Sequence, residues 1–303
     1  MSELTRSPGQ RFRDACSAGT IAIPGVFNAL TARLAEQAGY QAIYQSGASL
    51  SAGLAAVPDI GLLTATEFVT QGRYLAQAVS IPLISDADTG FGEPLAVERT
   101  VQQYEAAGLA GLHLEDQALP KRCGHLDGKS LVSTADMVAK IRAAVAARKD
   151  PTFVIIARTD ARGVDGFDAA VARSQAYLAA GADMIFPEAL ETVTEFARFA
   201  TTVKAPLLAN MTEFGKSPLL SLTELADMGY AAALFPVTLF RVAMQAVESA
   251  LNQLAAEGTQ RNFVATMQTR KRLYELLDYS DYDRRDQQYS ADAQRDQANS
   301  HPD

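Results

Sequence analysis

Short apolar runs rich in β-branched and aromatic residues recur along the chain: IAIPG (21–25), AIYQSG (42–47), PLISDAD (82–88), GLHLEDQ (111–117), FVIIARTD (153–160), MIFPEA (184–189), PLLANM (206–211) and AAALFPV (231–237). Between them lie Ala-rich stretches in which apolar residues return every three or four positions, among them LTARLAEQAG, AVERTVQQYEAAG, ADMVAKIRAAVAA, AAVARSQAYLAAG and LTELADMG. Short β-branched runs suit strands and the 3.6-residue period suits helices, so the chain alternates β with α. Four junctions echo one another: EQAGYQAIY, EAAGLAGLHL, LAAGADMIF and ADMGYAAALF each close a helix on glycine and then enter a strand. Glycine takes the left-handed C′ position there at little cost.

Eight units of roughly 30 residues predict an α/β fold of the (β/α)8 barrel type, whose usual size is about 250 residues. The competing doubly wound sheet lacks support, because no G-x-G-x-x-G turn follows the first strand. Residues 1–280 read as one barrel domain with an N-terminal helix and a C-terminal helical extension. Residues 281–303 read as a polar tail without regular structure.

Composition narrows the partners more than the fold. The 303 residues are 48% hydrophobic, enough for a large core, and carry a formal charge of −8 with no long basic run. That excludes counterion-release binding to nucleic acid. No segment offers the roughly 18 apolar residues of a membrane span, and the first residues lack the apolar centre of a signal peptide. The expectation is a cytoplasmic protein acting on small molecules. Cys16 and Cys123, without paired spacing, point to reduced thiols.

In a barrel, the carboxyl ends of the strands and the loops after them face one mouth. Ser46, Asp86, Asp88, Glu115, Arg158 with Asp160, Glu188, and Asn210 with Thr212 stand there, and Arg241 follows the eighth strand. Asp86 and Asp88, two apart on a strand, send both carboxylates to one face, a hard-oxygen pair suited to Mg²⁺ with its retained waters. An EF-hand loop is excluded, since Phe91 and Val97 occupy the places of its glycine and closing glutamate. Arg158 and Arg241 offer planar forks for carboxylates. His113 reads as an interior histidine rather than a ligand. A Schiff-base aldolase would need a lysine inside the barrel, and all seven lysines lie outside the predicted strands.

The loop ALPKRCGHLDGK (118–129), after the fourth strand, is long and polar enough to be a lid. In it Lys121, Arg122 and His125 flank Cys123, which predicts a thiol of lowered pKa acting as an acid near neutral pH.

At these residues the chain resembles the isocitrate lyase and phosphoenolpyruvate mutase superfamily, and within it the 2-methylisocitrate lyases. The matching strings are YQSG (44–47), VPDIG (57–61), DADTGFG (86–92), LHLEDQ (112–117), KRCGH (121–125), ARTDA (157–161), FPEA (186–189), NMTEFG (210–215) and TMQTR (266–270), in order over nearly the whole chain. The resemblance implies cleavage of a tricarboxylate, 2-methylisocitrate, to pyruvate and succinate, in propionate catabolism, with Mg²⁺ or alternatively Mn²⁺. It implies that Asp86 and Asp88 hold the metal, with Glu115 and Asp59 acting through water. Ser46, Gly47, Ala48, Cys123, Gly124, Arg158, Glu188, Asn210, Met211, Thr212, Arg241 and Arg270 would bind substrate. Cys123, Tyr44, Lys121 and His125 would form the catalytic set, with Tyr44 the candidate to take the hydroxyl proton. Members are similar in forming homotetramers that exchange the last barrel helix, with residues 258–280 the candidates for that packing. Ala48, Ser49, Ala56 and Val57 depart from the glycines common in the best-known lyases. A lyase for 2,3-dimethylmalate or isocitrate, an oxaloacetate hydrolase or phosphonomutase-like enzyme, and a silent metal-binding barrel therefore stay open.

Overall fold

The structure, a computed structural model, describes residues 6–299. Its strands are β1 (Ile21–Val26), β2 (Ile43–Gln45), β3 (Leu83–Asp86), β4 (Gly111–Glu115), β5 (Val154–Thr159), β6 (Met184–Pro187), β7 (Leu208–Asn210) and β8 (Ala232–Phe235). They pair in parallel in the order β6-β5-β4-β3-β2-β1-β8-β7, and a parallel bridge between Ile185 and Leu207 closes the ring. Each apolar run named above holds one of these strands. The helices are α1 (Pro8–Ala18), α2 (Ala29–Gln37), α3 (Gly47–Ala55), α4 (Ala65–Ala78), α5 (Pro94–Ala106), α6 (Thr134–Ala147), α7 (Phe167–Ala179), α8 (Val193–Thr202), α9 (Leu222–Asp227), α10 (Thr238–Glu257), α11 (Arg270–Leu277) and α12 (Tyr279–Asn299).

Local chemistry sets the ends of these elements. Asn28 with Thr31, Thr64 with Glu67, and Ser221 with Glu224 form capping boxes at α2, α4 and α9. Gly39, Gly108, Gly181 and Gly229, the glycines of the four echoed junctions, have φ between +87° and +105°, the left-handed turn expected of them. The second run stops being strand at Gln45, because the Ser46 hydroxyl accepts the Ser49 N–H and caps α3.

Alternation along the strands sorts side chains into two cores. Ile23, Ile84, Val154, Ile156, Met184, Phe186, Leu208 and Leu234 face inward and pack together with Phe12 of α1. Leu112, Leu114, Ile155, Ala157 and Ile185 face outward into the larger core shared with the helices. The inward rows end in polar groups: Ile84 is followed two residues on by Asp86, Ile156 by Arg158, Phe186 by Glu188 and Leu208 by Asn210. The register that fills the barrel therefore also lines its mouth with charge.

The chain falls into two compact units, one ending at Ala243 and the other starting at Met244. In the second unit, α12 corrects the expected unstructured tail up to Asn299. Asp281 pairs with Arg284 and, at 2.8 Å, with Arg285, and Gln287 donates to Asp283 at 2.9 Å. Such i,i+3 and i,i+4 pairs support a helix with little apolar period. Residues 300–303 of that expectation lie outside the described residues. Among the described residues no helix is long and apolar enough to cross a membrane.

At the junction of β1 with the end of β8, a Cβ added to Gly25 would stand 2.0 Å from the Pro236 carbonyl oxygen. Gly25→Ala is expected to lower the unfolding free energy by about 1–3 kcal/mol. Urea denaturation reads this, and an unchanged midpoint refutes so tight a backbone approach.

Candidate active site

A cavity at the carboxyl end of the barrel is lined by Tyr44, Ser46, Ala48, Asp59, Asp86, Arg158, Phe186, Glu188, Asn210, Thr212 and Arg241, and by Lys121, Cys123, Gly124 and His125 from the lid. At its base, Asp86 Oδ1 accepts the Asp88 N–H at 2.9 Å and Oδ2 accepts the Gly47 N–H, at the start of α3, at 3.2 Å. Gly47 thus reaches the site through its backbone. Asp88 sits in a left-handed conformation, φ +47°, which returns its carboxylate toward the lid. There it meets Lys121 Nζ, which also pairs with Asp59 Oδ1 at 2.6 Å.

Burial opposes charge on both aspartates. In Asp86 it is outweighed by His113, Lys121, Arg158 and the Asp88 N–H, which hold the carboxyl below its usual range. In Asp88, burial and the charge of Asp86 push the carboxyl up to about 7. One negative charge of the pair is firm and the second calls for a cation. Glu115 is 1% exposed, and burial pushes its carboxyl well above the usual range. Neither of its oxygens has a hydrogen-bond partner, and Arg158 Nε stands 3.4 Å from Oε2.

The lid rises from a stem where Ala118 N–H donates to the Ser130 carbonyl at 2.8 Å and Gln117 bridges Leu131. Its polar groups point inward: Lys121 to Asp59 and Asp88, Lys129 to Asp160 at 2.9 Å, and His125 Nε2 to Glu188 Oε1 at 2.7 Å. The loop after β7 latches it from outside, with Lys216 N–H donating to His125 Nδ1 at 3.0 Å and Lys216 Nζ meeting Asp127 at 2.5 Å. A backbone N–H only donates, so Nδ1 carries no proton and the ring proton faces Glu188.

Across the cavity, Arg158 grips Asp160 with Nε (2.9 Å) and Nη2 (3.2 Å), and its Nη1 stands 3.4 Å from Glu188 Oε2. Asn210 Nδ2 donates to both oxygens of Glu188, at 3.2 and 3.3 Å. Burial opposes charge on Glu188, but Arg158, His125 and Lys129 outweigh it and hold the carboxyl below its usual range. Arg241 is half-exposed, with Nε 3.5 Å from Glu213.

Four residues of the expected site have surroundings that the sequence did not disclose. The Cys123 thiol is raised rather than lowered: burial by its neighbours and the charge of Glu188 exceed the help of the His125 N–H and Arg158, because the lid lysines and His125 face carboxylates instead of sulfur. Tyr44 is buried in the cavity wall. Burial and Asp86 push its phenol well above the usual range, and it bonds His113 Nε2 at 2.8 Å. Met211 turns into the outer core, its Sδ accepting the Leu220 N–H at 3.3 Å. Arg270 opens α11 in the second unit and is exposed.

Sequence reasoning also passed over Lys129, Gln117 and Asp116. Lys129 and Gln117 resemble solvated loop residues until the lid is folded. Asp116 faces outward from the end of β4 and accepts Thr159 Oγ1 (2.7 Å), Tyr177 OH (2.8 Å) and the Asp160 N–H (2.9 Å). An acid at an outward-facing strand end was the available signal. His113 is the interior histidine expected, its imidazole pushed down to about 4 by burial.

The acids fit a hard divalent ion. Among the described residues no three His, Cys, Asp or Glu side chains form a closed cage. An ion that keeps several waters and takes one or two carboxylates needs none. The open oxygens of buried Glu115 are of the kind that accept hydrogen bonds from such waters.

A family model described as phosphoenolpyruvate phosphomutase matches residues 12–255. The 2-methylisocitrate lyase of Aeropyrum pernix is 49% identical over 293 residues, covering 96% of this chain and 94% of that protein. The crystal structure of a 2,3-dimethylmalate lyase, a PEP mutase/isocitrate lyase superfamily member, is similar with a TM-score of 0.88 at 34% identity, over 94% of this chain and 96% of that one. That of a phosphonopyruvate hydrolase with oxalate and Mg²⁺ has a TM-score of 0.83 at 35% identity, over 91% and 97%.

The lid seats only because residue 124 is glycine: a Cβ there would lie 2.4 Å from Glu188 Cγ and 2.5 Å from Arg158 Nη2. Gly124→Ala is therefore expected to speed amide hydrogen exchange across residues 118–130 by about tenfold while the barrel strands keep their protection. Equal protection of the lid in both proteins excludes the steric argument.

Proposed function

The chain belongs to the phosphoenolpyruvate mutase and isocitrate lyase superfamily, and on that premise we propose that it is a Mg²⁺-dependent carbon–carbon lyase cleaving 2-methylisocitrate to pyruvate and succinate. The observation that carries the reading is the Cys123 thiol lining, from the loop after β4, the same cavity as buried acids and a guanidinium. Asp86 and Asp88 would hold the ion, with Glu115 and Asp59 acting through its waters. Bound there, the ion supplies Lewis acidity to the hydroxyl that becomes the keto oxygen.

The chain's own groups do the rest. Arg158, Asn210 and Arg241 face the carboxylates of the substrate, and the Ser46 and Ala48 end of α3 faces the pyruvate half, where the positive helix terminus favours an anion. Loss of the hydroxyl proton and rupture of the adjacent C–C bond leave the bonding pair on the succinate carbon. The Cys123 S–H gives its proton to that carbon, and the resulting thiolate is favoured by the His125 backbone N–H and the charge of Arg158. The lid, latched by Lys216, excludes water while the carbanion lasts.

In this reading the protein is cytoplasmic and works as a homotetramer. Helix α10 buries none of its residues and exposes Val242, Val247 and Leu251. It is the natural element to exchange between subunits.

Purified protein with Mg²⁺ and each candidate acid is expected to release pyruvate and succinate from 2-methylisocitrate, reversibly lost in EDTA. Glyoxylate from isocitrate, or turnover of 2,3-dimethylmalate alone, reassigns the substrate, and full activity in EDTA removes the metal. Cys123→Ser is expected to lower kcat by at least about 10²-fold with an unchanged fold by circular dichroism, since an alcohol is a far weaker acid than a thiol. A kcat near wild type makes the thiol a bystander.

A further inference from the structure

Two residues of the lid stem take no part in the chemistry above, yet they hold the main chain on both sides of the thiol. The Gln117 carboxamide accepts the Arg122 N–H through Oε1 and donates to the Arg122 carbonyl through Nε2, each at 2.9 Å. The Lys129 ammonium donates to the Gly124 carbonyl. Between these anchors, Leu126 N–H closes on the Cys123 carbonyl at 2.9 Å. Gln117 is 1% exposed and the Lys129 side chain 2%. A buried amide or ammonium is costly unless its hydrogen bonds are made. Here they are made to peptide groups, so they specify the path of the backbone rather than the identity of any side chain.

The second bond of Lys129 reaches further. Its partner Asp160 Oδ1 also accepts Arg158 Nη2 at 3.2 Å, and Asp160 Oδ2 accepts Arg158 Nε at 2.9 Å. One carboxylate therefore joins the turn that carries the thiol to the guanidinium that faces it. The two stem residues stand at opposite ends of the loop, where the Ala118 and Ser130 backbones are bonded.

We propose that Gln117 and Lys129 are positioning residues that clamp the peptide groups flanking Cys123, and that Lys129 couples that turn through Asp160 to Arg158. They act through the thiol and need touch no substrate. The inference deepens the lyase reading, and only its kinetic arm rests on that reading.

The test uses the full chain with Gln117→Leu, Gln117→Glu and Lys129→Met. Cys123 alkylation by iodoacetamide without substrate is followed by mass spectrometry, with half-buried Cys16 as internal reference. Labelling of Cys123 is expected to quicken by about tenfold in Gln117→Leu and Lys129→Met, with Cys16 unchanged. Gln117→Glu keeps the acceptor for the Arg122 N–H but loses the donor, and is expected to fall between. On 2-methylisocitrate, kcat is expected to drop roughly 10- to 100-fold with KM within about threefold, the mark of a misplaced proton donor rather than lost binding. Unchanged Cys123 labelling in both Gln117→Leu and Lys129→Met overturns the proposal, as does an equal rise at Cys16, which marks general loosening. If labelling responds as expected but the wild type turns over none of the acids, the clamp stands and the lyase reading fails.

Discussion

Everything at the mouth of this barrel answers to one constraint: acids buried together need cations, and most of those cations arrive on the lid. Asp86, Asp88, Glu115, Asp160 and Glu188 are all buried, yet the described strands contribute a single guanidinium, Arg158. Lys121 and Lys129 come from the loop after β4, and His125 of the same loop turns a ring N–H to Glu188. An unpaired buried charge costs about 3–5 kcal/mol, so seating the lid is in large part an act of neutralisation. Side chains of the inner core such as Ile23, Ile156 and Phe186, at about 1.5–3 kcal/mol each, give the barrel the stability to hold such a cluster.

Much of this was legible in the sequence, for a simple reason. Strand periodicity and the helix-ending glycines are local signals, and the barrel arranges them in chain order, so β1 to β8 and the polar ends of their inward rows could be placed before any coordinates. The matching motifs then pointed to most of the cavity residues. What could not be seen depends on contacts between segments far apart in sequence. Lys121 is loop residue and site cation at once, because a flexible side chain reaches Asp59 and Asp88 from outside the strands. The last stretch, up to Asn299, looked unstructured because its helix is supported by charge pairs rather than by an apolar stripe.

The errors at individual residues share a cause. Sequence proximity suggested that Lys121, Arg122 and His125 act on the sulfur beside them, whereas in three dimensions Lys121 and His125 face carboxylates from other loops and strands. Met211 lies next to Asn210 in sequence but, one step along a strand, on the opposite face. Tyr44 shares the cavity with acids that keep its phenol protonated. Neighbours along the chain are poor guides to chemistry wherever the backbone alternates or a lid folds over.

The raised thiol is the consequence that ties the lid's electrostatics to the reaction. A cysteine whose pKa had been lowered well below neutrality by adjacent lysines would be a thiolate, a good nucleophile but unable to give up a proton. In the proposed reaction the carbanion beside a carboxylate is far more basic than any thiolate, so a thiol of modestly raised pKa still passes its proton downhill. What it must be is protonated and close when the C–C bond breaks. Lys121, Lys129 and His125 are directed onto Asp59, Asp88, Asp160 and Glu188, and the Cys123 thiol stays above its ordinary range.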